Sequence, residues 1–163
     1  MIIEIKNNDT LIIDEFTFKC CVGKNGTKKD KLEGDGSTPK GIFKIGKLFW
    51  RSDRNPKPET KLNCLKIKKN MRWCNDVKSK YYNKLFKNRQ NIRSEKMFRK
   101  DYKYDYLISI NYNTKKIIKN LGSAIFLHLT KNYKSTAGCI AVKKKDFLII
   151  CKLLNKKDKI KIF

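Results

Sequence analysis

The chain is poor in histidine, proline, acidic residues and long apolar runs. Its 163 residues hold one histidine and three prolines. One imidazole and no C-x-x-C pair leave too few ligands for a zinc site, so no metal or cofactor is expected. No stretch approaches the roughly eighteen apolar residues that would cross a bilayer as a helix, so no transmembrane segment is expected. The opening MIIEIKNNDTLIIDEF lacks a basic start, a long apolar core and a small-residue cleavage site, so no export signal is visible. No internal repeat, RNP-like aromatic pattern or zinc-finger spacing occurs.

What the chain has in excess is positive charge. Forty basic residues face fifteen acidic ones, a net charge of +25. Such a balance suits an anionic partner, although lysines spread along the whole chain would also follow from a general lysine bias. The arginines are not spread. Arg51, Arg54, Arg72, Arg89, Arg93 and Arg99 all fall in the middle third. A guanidinium reads carboxylates through a flat, bidentate fork, so the cluster hints at a carboxylate-binding surface.

The length suits one domain with its own core. A domain of this size does not need disulfide staples, so the six cysteines are read as mostly free or buried thiols. Cys64 and Cys74 are the pair to examine first.

The first third is rich in short β-branched and aromatic runs, IIEIK, TLIID and FTFKCCVG, separated by polar turns as in a meander. A glycine-rich loop, EGDGSTPKG, leads into another strand, GIFKIG. Residues 51–100 read as an elaborated insertion, with KNRQNIRSEKMFRK partly helical. Strands resume at YDYLISINYN, GSAIFLHL and GCIAV. KKKDFLIICKLLNK reads as an amphipathic helix with Phe147, Ile150, Cys151 and Leu154 on one face. KDKIKIF closes the chain as an edge strand. The fold class expected is mainly β, a sandwich or partly closed barrel with peripheral helices.

His128 ends one of these strands, and Cys139 follows eleven residues later, after Gly138. A nucleophilic cysteine needs a partner that shuttles protons, and an imidazole supplies that. A glycine turn just before the cysteine exposes backbone N–H groups able to hold an oxyanion. A lone histidine and a G-C dipeptide are also what a core imidazole and a buried thiol would look like.

Four stretches in order, EGDGSTPKG within KDKLEGDGSTPKGIFKIG, FWRSDR, RWCNDVKSKYYN, and GSAIFLHL followed by STAGCIAV, resemble the YkuD-like L,D-transpeptidase family over about residues 20–142. The resemblance implies a mainly β catalytic domain with a cysteine nucleophile. By position Cys139 matches the nucleophile, His128 the general base and acid, Thr136 the Ser/Thr three residues before the cysteine, and Gly138 the glycine preceding it. Three positions depart from the usual motif. Ala137 stands where a histidine is common, Ala141 where an Arg or Asn is common, and Leu129 where a glycine usually follows the histidine. The T-A-G-C-x-A form is similar to a short branch of the family.

The implied function is a peptidoglycan L,D-transpeptidase forming a 1,3- or 3,3-type cross-link through a thioester. Hydrolysis of the same thioester, as in an L,D-carboxypeptidase or endopeptidase, is the alternative. A basic polyanion-binding module is the non-enzymatic rival. Arg51, Arg54, Trp73 and Asp76 are the expected lining of the stem-peptide cleft. The expected partner is the peptidoglycan stem peptide rather than nucleic acid. The chain is expected to act as a monomeric domain spanning 1–163, with 51–100 as its substrate-binding insertion. The periplasm is the expected location, because the substrate lies there, with the cytoplasm as the alternative because no export signal is visible.

Overall fold

A computed structural model describes residues 1–87 and 92–163. Arg89, one of the clustered arginines, lies outside them. In chain order the strands are β1 (Ile2–Lys6), β2 (Thr10–Ile13), β3 (Phe16–Cys21), β4 (Thr27–Lys28), β5 (Thr38–Pro39), β6 (Gly41–Trp50), β7 (Cys64–Lys66), β8 (Met71–Cys74), β9 (Leu85–Lys87), β10 (Ser94–Lys96), β11 (Tyr106–Ile110), β12 (Phe126–Leu129), β13 (Ile140–Val142) and β14 (Lys159–Ile162). Between β13 and β14 lies helix α1 (Lys144–Leu153).

Eight strands close into a barrel in the order β11-β12-β13-β3-β2-β1-β14-β6, with β6 returning to β11. Closure removes the exposed edges an open sheet would present. The ten-residue β6 makes closure possible. Its first half pairs with β14 and its second half with β11, while β7 adds to its other side. The expected meander is present as β1-β2-β3. β14 is no edge strand, because it lies between β1, in parallel, and β6. Its alternation reflects one face on the barrel core: Ile160 and Ile162 are buried while Lys159 is exposed.

The barrel interior is filled by alternate residues, among them Ile3 and Ile5, Leu11 and Ile13, Leu127 and Leu129, Ile140 and Val142. Each such side chain, once buried, contributes about 1.5–3 kcal/mol. Helix α1 lays Phe147, Ile150 and Cys151 on this core, with Leu154 just past its end. It is the only α-helix among the described residues, where peripheral helices in the plural were expected.

The middle segment also differs from expectation. Leu85–Lys87 and Ser94–Lys96 are strands rather than helix, and with β8 they form a small antiparallel sheet, β10-β8-β9. This sheet caps the outer wall of the barrel. A second apolar cluster lies beneath it, with Phe49, Leu107, Phe126 and Cys139 from the wall and Met71, Met97 and Tyr104 above. Trp73, Leu85 and Phe98 pack against it. Cys64 and Cys74 are not bonded to each other, and all six cysteines are free thiols.

Candidate active site

Strand alternation decides which side chains reach the site. β12 and β13 run parallel with Leu127 opposite Ile140 and His128 opposite Ala141. Leu127, Leu129, Ile140 and Val142 therefore face the barrel interior. Phe126, His128, Cys139 and Ala141 face outward, beneath the cap. His128 and Cys139 are diagonal neighbours on one face of the two strands.

The turn before Cys139 is held from two directions. Gly138 has φ +146°, a conformation L side chains rarely adopt, and a Cβ there would lie 2.8 Å from the Ser37 carbonyl oxygen. Thr136 Oγ1 accepts the Gly138 N–H at 3.0 Å and donates to the Cys139 carbonyl at 2.6 Å. From behind, Thr38 Oγ1 donates to the Gly138 carbonyl at 2.8 Å. The EGDGSTPKG stretch is thus the backing of the cysteine turn. Asp35 fixes that backing by accepting the Leu32 and Ser37 N–H groups and pairing with Lys31 at 2.7 Å.

The Cys139 thiol donates to the Ala124 carbonyl at 3.3 Å. Ala124 itself sits at φ +54°, which costs a non-glycine residue about 1–2 kcal/mol. The buried Asn83 holds it there, accepting the Ala124 N–H and the Trp73 indole N–H. Its amide also donates to the Tyr112 and Asn113 carbonyls. One side chain therefore ties the cap to the loop under the thiol.

His128 Nδ1 lies 3.0 Å from the Leu129 carbonyl oxygen. With Nδ1 donating there, Nε2 carries the lone pair. The departure at Leu129 has a physical account here. Its backbone carbonyl orients the imidazole, while its side chain packs inside the barrel. Burial lowers the His128 pKa to about 4, and the nearby Lys103 and Arg99 add to this. Burial likewise pushes the Cys139 thiol up, and the Glu95 charge reinforces it. At neutral pH the pair therefore rests as neutral thiol and neutral imidazole.

Both residues line a cavity of about 660 Å³. Thr136, Ala137, Gly138 and Ala141 line it too, as do Lys31, Asn75, Arg93, Glu95, Arg99, Tyr104 and Ser123. Glu95 accepts the Tyr104 hydroxyl, and the Tyr104 ring packs edge-on to His128 with centroids 5.4 Å apart. Burial raises the Glu95 carboxyl above its ordinary value.

The other four expected binding residues lie outside this cavity. Arg51, 4% exposed, forks onto Asp53, donates to the Arg99 carbonyl and stacks on Phe98 at 3.4 Å. Arg54 binds Asp105 and the carbonyls of Lys100 and Asp101. These two arginines brace the 99–105 loop that presents Arg99 and Tyr104. Trp73 packs edge-on between Phe49 and Phe126. Asp76 accepts the Lys78 N–H in a turn. The arginines that do reach the cavity are Arg93 and Arg99.

Glu95, Tyr104, Asn75 and Asn83 were missed by the sequence reading. The one available signal was the lone glutamate of SEKMF in an otherwise basic stretch. Among the described residues, no group of three or more His, Cys, Asp or Glu could hold a metal ion. No helix among them is long and apolar enough to cross a membrane.

Comparison with known proteins agrees with this fold. The YkuD family model, an L,D-transpeptidase catalytic domain, matches residues 2–162. Two crystal structures of the helical cell shape determining protein Pgp2 from Campylobacter jejuni, one of them a point mutant, share the fold. Their TM-scores are 0.54 and 0.52 at 17% and 18% identity, each alignment covering 99% of this chain. The chain spans 46% of the length of either. No curated protein sequence matches the chain. With a family match over almost its whole length, the chain belongs to the YkuD family of L,D-transpeptidase catalytic domains, cysteine-dependent enzymes that modify peptidoglycan.

Proposed function

We propose that the protein is a peptidoglycan L,D-transpeptidase in which Cys139 is the nucleophile and His128 the proton shuttle. The observation that carries this is the shared outward face of the parallel β12–β13 pair, which presents both side chains to one cavity. His128 Nε2 takes the thiol proton as sulfur attacks the carbonyl at the L-centre of a diamino acid in the donor stem. Collapse of the tetrahedral intermediate breaks the C–N bond, and His128 gives its proton to the departing amine. A thioester remains on Cys139. An acceptor amine then attacks, His128 takes the amine proton, and that proton returns to the sulfur as the C–S bond breaks. The backbone N–H of Cys139 would stabilise the oxyanion, that of Gly138 being taken up by Thr136 Oγ1.

A neutral resting pair suits this sequence, because the imidazole is available as a base before substrate arrives. Gly138 and Thr136 set the turn. Carboxylates of the stem fall to Arg93 and Arg99, with residues 51–100 serving as the substrate-binding cap. The net charge of +25 favours residence near anionic wall or membrane surfaces, in keeping with a periplasmic site of action.

The test is incubation of purified protein with tetrapeptide muropeptides, followed by mass spectrometry. Cross-linked dimers that vanish in Cys139→Ala support transfer. Shortened stems without dimers would reassign the thioester to hydrolysis. Unchanged muropeptides, with folded protein that takes up no carbapenem on Cys139, would refute the reading.

A further inference from the structure

The catalytic pair uses only part of the cavity. The face of the cap turned toward the barrel carries Glu95 opposite Trp73. One step further along, the Asn75 N–H donates to the Arg93 carbonyl and extends the pairing. Alternation puts Trp73, Asn75, Arg93 and Glu95 on one face, and Trp73 meets the barrel wall at Phe49 and Phe126. Glu95, Asn75 and Arg93 all line the cavity. Ser123, next to the residue that accepts the Cys139 thiol, lines it as well.

These groups are poorly satisfied by the protein itself. Among the described residues, Asn75 Oδ1 and Ser123 Oγ are buried with no hydrogen-bond partner. Buried polar atoms are rarely left in that condition, and a ligand or an ordered water ordinarily completes them. Glu95 is half-buried, accepts the Tyr104 hydroxyl and makes no ion pair among the described residues. The charged groups facing it are Arg99 and, with like sign, Glu33. A carboxylate, an amide oxygen and a hydroxyl on the walls of one cavity offer three acceptors, matching the three N–H bonds of an ammonium group. Arg93, on the same face, offers a fork for a carboxylate beside it.

Taking the acyl-transfer reading as its basis, we propose that Glu95, Asn75 and Ser123 form an ammonium subsite. It receives the zwitterionic far end of the diamino acid in the donor stem, with Arg93 taking the adjoining carboxylate. The subsite would then set which carbonyl reaches Cys139. It places in the cap the polar recognition that Ala137 and Ala141 do not supply.

The test uses three synthetic donors that differ only in the side-chain amine: free, dimethylated or N-acetylated. Thioester formation on Cys139 is followed by intact-protein mass spectrometry in a single turnover without acceptor. The wild type should acylate with the free-amine donor at least about tenfold faster than with the acetylated one, the scale of a charged hydrogen bond. The dimethylated donor keeps its charge at similar bulk and should stay ahead of the acetylated one. Glu95→Gln should bring the ratio of free to acetylated donor near one, and Ser123→Ala should reduce it. A purely structural role for Glu95 would slow all donors alike and leave the ratio intact. Should Glu95→Gln fail to fold, the wild-type ratio and Ser123→Ala decide. Equal acylation by the three donors in the wild type overturns the subsite and leaves the reaction standing. No acylation by any of them overturns the reaction and the subsite with it.

Discussion

Replacing His128 by Gln should flatten the pH dependence of stability between about pH 6.5 and 4. An unfolded chain protonates an ordinary imidazole near 6.5, whereas burial holds the folded one neutral down to about 4. As pH falls through that window, the unfolded state binds the proton first, and the folded state loses stability relative to it. The shift from 6.5 to about 4 corresponds to a loss of about 3 kcal/mol, a large part of an ordinary domain's stability. The buried, almost unexposed ring makes solvent screening a small correction. The assay is urea unfolding of wild type and His128→Gln at half-unit steps from pH 7.5 to 4. Carboxylates such as Asp35 and Asp101 titrate in both proteins and cancel in the difference. The wild type should lose about 3 kcal/mol more than the variant. Parallel curves would refute the reasoning. The imidazole would then be open to water or already charged, and the neutral resting pair would be wrong.

Two further outcomes follow from the cysteine turn. Gly138→Ala forces a Cβ against the Ser37 carbonyl at φ +146°, so the turn must move. Its unfolding free energy should fall by about 1–3 kcal/mol, and acylation of Cys139 should fall more steeply than fold content seen by circular dichroism. Thr136→Val keeps the shape but leaves the Gly138 N–H and Cys139 carbonyl without their bridge. It should lower the acylation rate about tenfold or more, with Thr136→Ser restoring most of it.

What was legible in the chain was what is local or topologically simple. His128 and Cys139 lie eleven residues apart, and adjacent parallel strands bring them to one face with little else required. EGDGSTPKG was readable as a loop because glycines mark it, although its contact with Gly138 spans about a hundred residues and shows only in three dimensions. The cap was not legible. Its strands are three or four residues long and carry sequences such as SEK and LFK, too short for alternation to declare itself. Of the clustered arginines, the two singled out from the sequence, Arg51 and Arg54, are not the ones that line the cavity. Arg51 and Arg54 are spent on Asp53, Asp105 and backbone carbonyls, and only the pairing of β8 with β10 turns Arg93 toward the cavity. A half-buried glutamate amid basic residues has no periodic signature, so Glu95 depended on the structure.

The two apolar clusters have no residue in common: one fills the barrel, the other lies between its outer wall and the cap. The free energies of keeping the barrel closed and of keeping the cap seated are therefore largely separable. Lifting β8–β10 would expose the second cluster and the catalytic wall while every interior contact of the barrel stayed in place. Such a sub-global opening would cost less than global unfolding, which must break both clusters. Substitutions in the cap are therefore expected to change the cost of that opening more than the stability of the barrel beneath it.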